Sequence, residues 1–73
     1  MKLEREHQRL NEEIISLYEQ IVSKGKPKKL TLTLSLLFHV SDETIRNYLK
    51  GRGSDGALKK AIIAELKKVL KSL

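Results

Sequence analysis

Leu10, Ile14, Leu17, Tyr18, Ile21 and Val22 recur at steps of three and four residues, with Glu12, Glu13, Glu19 and Gln20 off the stripe. This spacing predicts a first helix over residues 1–24, into which Leu3 extends the stripe weakly. The repeat is 3.6-like and lacks a sustained heptad, so a long coiled coil is not expected. A helix of roughly 20 residues is about 30 Å long. That is longer than a small helical domain needs, so its first turns are expected either to fray or to pack against a second copy. Lys24–Lys29, KGKPKK, ends it, with Gly25 as a C-cap candidate and Pro27 forbidding continued regular helix.

Residues 30–36, LTLTLSL, alternate as a strand does. A second alternating segment to pair with is missing, and a lone strand leaves its backbone groups unsatisfied. A helix beginning near Thr31 or Thr33, with threonine as its cap, is the favoured reading; a strand would require pairing across a dimer. Leu34, Leu37 and Phe38 then form one helical face, followed by a break at His39-Val40-Ser41. Residues 42–50 carry Ile45, Tyr48 and Leu49 on one side and Glu43, Arg46, Asn47 and Lys50 elsewhere. Ser41 is placed to cap this helix, Asp42 and Glu43 fall in its first turn, and Gly51 follows its last apolar residue.

Gly51, Gly53 and Gly56 make a loop, in which Ser54 or Asp55 can cap the last helix. That helix, residues 57–73, carries Leu58, Ala61, Ile62, Ala64 or Glu65, Leu66, Val69, Leu70 and Leu73 in helical spacing, with Lys59, Lys60, Lys67, Lys68 and Lys71 assigned to the other side. The expected fold is therefore all-α: one domain over residues 1–73, with four helices, or five.

Leu34–Gly51, LSLLFHVSDETIRNYLKG, resembles the helix-turn-helix of the phage repressor/Cro superfamily, and VSDETIRNYLKGRG is similar to the LacI-type headpiece. Ser35 stands where that family has a small residue between closely crossing helices, and Leu34, Phe38, Val40, Ile45 and Tyr48 stand at its buried positions. His39 departs from the family's turn glycine; histidine is among the residues that better tolerate a positive φ. The resemblance implies that the second helix enters the major groove of double-stranded DNA, with Ser41, Asp42, Glu43, Arg46 and Asn47 facing the bases. Arg46 can give a bidentate pair to guanine and Asn47 one to adenine. Lys26, Lys28, Lys29, Thr33, Lys50 and Arg52 are the candidate phosphate contacts. The implied protein is a small transcriptional regulator of phage or mobile-element type, a repressor acting as a homodimer through its first or last helix.

Charge bears on this expectation in both directions. The net charge is +6. Residues 1–23 hold three basic and five acidic side chains, residues 24–53 seven and two, and residues 54–73 five and two. The positive excess thus lies around and after the 34–51 segment, where it attracts phosphate backbones. Against it, Asp42 and Glu43 sit at the end that would approach DNA and repel phosphate unless they accept from cytosine or turn back to cap the helix. They leave open a protein-binding helical module of antitoxin-like, adaptor or assembly type.

Other chemistry finds little in the chain. With no cysteine there is neither a disulfide nor a thiolate metal site, which is compatible with a reducing cytoplasm. His7 and His39 have no carboxylate or cysteine near them at ligand spacing, and Glu12 and Glu13 point to different sides of a helix. GRGSDG lacks the Lys-Ser/Thr ending of a phosphate loop. No enzyme activity, cofactor, metal or small-molecule substrate is expected. The last helix is basic and amphipathic, but its apolar face is needed for the core, so no membrane partner is expected. RNA binding is disfavoured because Tyr18, Phe38 and Tyr48 lie mostly on apolar faces and leave few rings for base stacking.

Overall fold

The computed structural model describes residues 2–73, with side chains from residue 5 onward. It contains α1 (Lys2–Gly25), α2 (Leu30–Phe38), α3 (Asp42–Leu49) and α4 (Gly56–Ser72). The all-α expectation is met, and among the described residues there is no strand. The expected start of the first helix at Met1 and the placement of Leu3 on its stripe lie outside the described residues. Residues 5–8 belong to regular helix rather than to a frayed end.

Ile14, Leu17 and Ile21 of α1, Leu30 and Leu34 of α2, Ile45, Tyr48 and Leu49 of α3, and Ile62, Ile63 and Leu66 of α4 close one buried cluster. Ion pairs join Glu6 to Lys60 at 3.2 Å and Glu13 to Lys67 at 3.5 Å. The second pair lies about two turns further along both helices, so α1 and α4 run in the same direction. These pairs are half exposed and contribute little stability, so the apolar seam beneath them holds the helices together.

The helix ends follow local chemistry. α1 closes at Gly25, whose φ is +103°. His39 adopts the left-handed conformation with φ 56°, and the Val40 N–H donates to the Ser35 carbonyl at 3.1 Å. Ser41 caps α3, its Oγ accepting from the Thr44 N–H at 3.1 Å. Gly51 ends α3 with φ +82°, while the Arg52 N–H donates to the Asn47 carbonyl at 2.9 Å. Of the two candidate caps for α4, Asp55 is the one used: its Oδ1 accepts from the N–H groups of Ala57 and Leu58.

Several expectations are corrected. α2 starts at Leu30, and Lys29, not Thr31 or Thr33, holds the cap position, without a side-chain hydrogen bond. Leu37 is exposed: Leu30, Leu34 and Phe38 share the inner side with Ser35, which turns that side away from Leu37. Val22 is also exposed, at the rim of an open apolar groove between α1 and α3. Lys59 was assigned to the wet side of α4 and is instead 1% exposed. Its aliphatic stem fills core space, and its Nζ lies 2.9 Å from His7 Nδ1. An ammonium only donates, so Nδ1 is the acceptor there. In addition, Leu73 is half exposed, and Glu65 rather than Ala64 takes the more buried position.

The glycine-rich connector has a packing role. A Cβ on Gly53 would stand 2.2 Å from two ring carbons of Tyr48. The Tyr48 hydroxyl in turn accepts from the Asp55 N–H at 2.9 Å, tying α3 to the start of α4. Replacing Gly53 with alanine forces the ring or the loop aside. The expected loss is about 1–3 kcal/mol, as for overpacking in a core. A lowered urea midpoint at unchanged m-value checks it.

Candidate nucleic-acid interface

The second short helix is amphipathic in a way that fixes which side chains face outward. Ile45, Tyr48 and Leu49 point into the core, so Glu43, Arg46 and Asn47 are turned to solvent, as is Lys50 at the helix end. Ser35 permits the close approach of α2: it is buried, and its hydroxyl donates to the Leu32 carbonyl at 2.7 Å, leaving no bulky or unpaired group at the crossing.

Arg46 is held in place by Asp42 one turn earlier, Nη2 to Oδ2 at 2.9 Å. The guanidinium side chain remains 65% exposed, so its other N–H groups are open to a ligand. Asp42 Oδ1 is buried and makes no hydrogen bond within the described residues. The carboxylate is thus directed along the helix toward Arg46. Ser41 is exposed, but its hydroxyl is engaged by the Thr44 N–H and by Thr44 Oγ1 at 2.8 Å.

The end of α3 meets a basic cleft. Lys26, Thr31, Arg46 and Lys50 border an opening of about 210 Å³ whose apolar side is Tyr18 and Leu49. Lys26 is fixed on α1: its Nζ donates to the Tyr18 hydroxyl at 3.2 Å and lies 5.6 Å from the centre of that ring. Three of the cations named from sequence therefore converge. Lys28, Lys29, Thr33 and Arg52 are exposed and lie outside this cleft. Thr31 and Tyr18 belong to it and had not been assigned to the site. The eight-residue separation of Tyr18 and Lys26 across a helix end gave no signal, because the loop geometry that joins them is not periodic.

Among the described residues, no three histidine, aspartate or glutamate side chains come together as metal ligands would. Among the described residues, too, no helix is long and apolar enough to cross a membrane. No protein-family model matches the chain, and no curated protein or solved structure matches it either.

Proposed function

We propose that the chain is a small sequence-specific DNA-binding protein, a transcriptional regulator of phage or mobile-element type that works in the cytoplasm as a homodimer. In this reading α3 enters the major groove, Arg46 and Asn47 meet base edges, and Lys26 and Lys50 hold the phosphates beside them. The single observation that carries it is the convergence of Lys26, Arg46 and Lys50 at the exposed side of a helix that also presents Asn47. Such an arrangement sets a planar bidentate donor and an amide on a rigid rod, flanked by point charges for the backbone. Lys28, Lys29, Thr33 and Arg52 are proposed as outlying phosphate contacts, and Asp42, Glu43 and Ser41 as residues at the groove-facing end of α3.

The test is selection of bound duplexes from a random pool, followed by affinity measured against salt. An enriched two-fold site is expected. Replacing Lys50 with alanine is expected to weaken all sequences alike and to reduce the slope of log K against log salt by about one unit. No enrichment, together with no binding of random duplex at low salt, would refute the proposal.

A second reading is a helical protein-interaction module of antitoxin-like, adaptor or assembly type. The observation favouring it is that Asp42 and Glu43 both lie in the first turn of α3, with Glu43 exposed, where an approaching phosphate meets negative charge. A cationic protein surface meets that end of the helix more easily than DNA does.

A further inference from the structure

We infer that the apolar groove between α1 and α3 and the basic cleft beside it form one binding site for a small amphipathic anion, a carboxylate carrying a single hydrocarbon chain. The site belongs to the DNA-free protein and is independent of the functional reading above; only its regulatory consequence rests on that reading.

The groove has a volume of about 570 Å³ and is lined mainly by Ile15, Tyr18, Val22 and Leu49. Small-molecule sites occupy roughly 300–1,000 Å³ and combine apolar walls with a few convergent polar groups. Ile15, Tyr18 and Val22 follow one another on α1 at steps of three and four, so the apolar strip runs about 10 Å along that helix. Val22 is 50% exposed, and a hydrocarbon chain laid along the strip leaves water together with it. Four apolar side chains fall far short of the about 800 Å² per partner of a stable protein interface, which favours a small occupant over a second protein.

Charge selects the head group. Tyr18, Leu49 and Lys50 line both the groove and the basic cleft, so the two openings share a wall. A chain lying in the groove brings its head to Lys26, Arg46 and Lys50. Lys26 and Lys50 have no ion-pair partner among the described residues. Lys26 spends one N–H on the Tyr18 hydroxyl and keeps two for an acceptor. Two carboxylates oppose an anion there. Asp42 is paired with Arg46 and offsets part of its charge, and Glu19 lines the groove away from the cleft, where it turns an anionic head toward the lysines. On the DNA reading, ligand and duplex then compete for Arg46 and Lys50, and the ligand releases the protein from DNA.

The test is a nuclear magnetic resonance titration of the DNA-free protein with decanoate below its micelle concentration. Saturable shifts are expected at the methyl groups of Ile15, Val22 and Leu49 and at the amides of Arg46 and Lys50. Affinity should rise about twofold to fourfold per CH₂ from octanoate to decanoate. Decyltrimethylammonium, with the same chain and the opposite charge, should bind about 10-fold more weakly. Val22→Glu alters an exposed position, so it should melt near wild type while weakening decanoate by about 10-fold. Lys26→Gln should weaken decanoate and leave decanol unchanged. The inference is overturned if decanoate gives no saturable shift, if its shifts spread equally over the exposed Leu32, Leu36 and Leu37, if decyltrimethylammonium binds as tightly, or if Val22→Glu binds as wild type does. It is overturned equally if the groove signals move with protein concentration alone, which would put a second copy there, or if only phosphatidylglycerol vesicles bind. Decanoate binding without any selected duplex would remove the DNA reading and keep this site; a selected duplex with no decanoate binding would do the reverse.

Discussion

Replacing Ile45 with alanine is expected to cost about 2–5 kcal/mol of folding stability, the range for removing a large aliphatic side chain from a closed core. A domain of this size has only roughly 5–10 kcal/mol in total. Ile45 is 0% exposed and sits in the middle of α3, between the seam of α1 and α4 and the inner side of α2. Its loss leaves a cavity that Tyr48 cannot fill, because that ring is already committed to Gly53 and its hydroxyl to the Asp55 N–H. α3 has eight residues and cannot persist without its anchors, since a helix that short is marginal in water. Thermal unfolding should show the melting temperature lowered by about 10–20 °C. The contrasting variant, Leu36→Ala, removes an exposed side chain and should change monomer stability by no more than about 0.5 kcal/mol. A loss below about 1 kcal/mol for Ile45→Ala would mean that α3 is not seated on the core as described.

The seating of α3 was largely legible beforehand, because it depends on short-range chemistry. The Ser41 hydroxyl, the acidic first turn, the placing of Ile45, Tyr48 and Leu49 and the glycine at position 51 each act within one or two turns. α2 was harder for a physical reason. Leucines alternating with polar residues advance 200° per step on a helix, so they land on both sides of it. The same run therefore satisfies a strand pattern and produces a helix with leucine inside and outside. The lone-strand objection identified the helix, but nothing local announced that Leu32 and Leu36 would be left outside. The Lys59–His7 contact spans 52 residues of sequence and depends on the parallel packing of α1 and α4. No periodicity encodes it, and a lysine in an amphipathic helix is ordinarily assigned to water. The Asp42–Arg46 pair was within reach, being spaced one turn apart on a helix. The nearest partner of Asp42 is Arg46 on its own helix, ahead of any phosphate, cytosine or backbone N–H.

That pair gives the prediction on which the functional proposal turns. Arg46→Ala is expected to weaken binding to the selected duplex by about 10- to 100-fold, or about 1–3 kcal/mol, and to relax the preference at one base position. Asp42 occupies one edge of the guanidinium at 2.9 Å and offsets part of its charge as a non-specific attractor. The remaining N–H groups keep the fork geometry that matches the O6 and N7 acceptors of guanine. Removing Arg46 should therefore leave the salt slope closer to wild type than Lys50→Ala does, because a side chain partly offset by its neighbour releases fewer counterions. Asp42→Asn should act with mixed sign. It frees Arg46 to swing toward phosphate, so random duplex binds more tightly while the margin over it held by the selected site shrinks. The exposed ion pair adds little to folding, so both variants should melt near wild type and any change in binding is not a folding effect. If Arg46→Ala instead weakened all duplexes equally and flattened the salt slope, Arg46 would be a backbone clamp; if it changed nothing, α3 would not be the reading helix, and its Asp42-Glu43 end would be better explained by a protein partner.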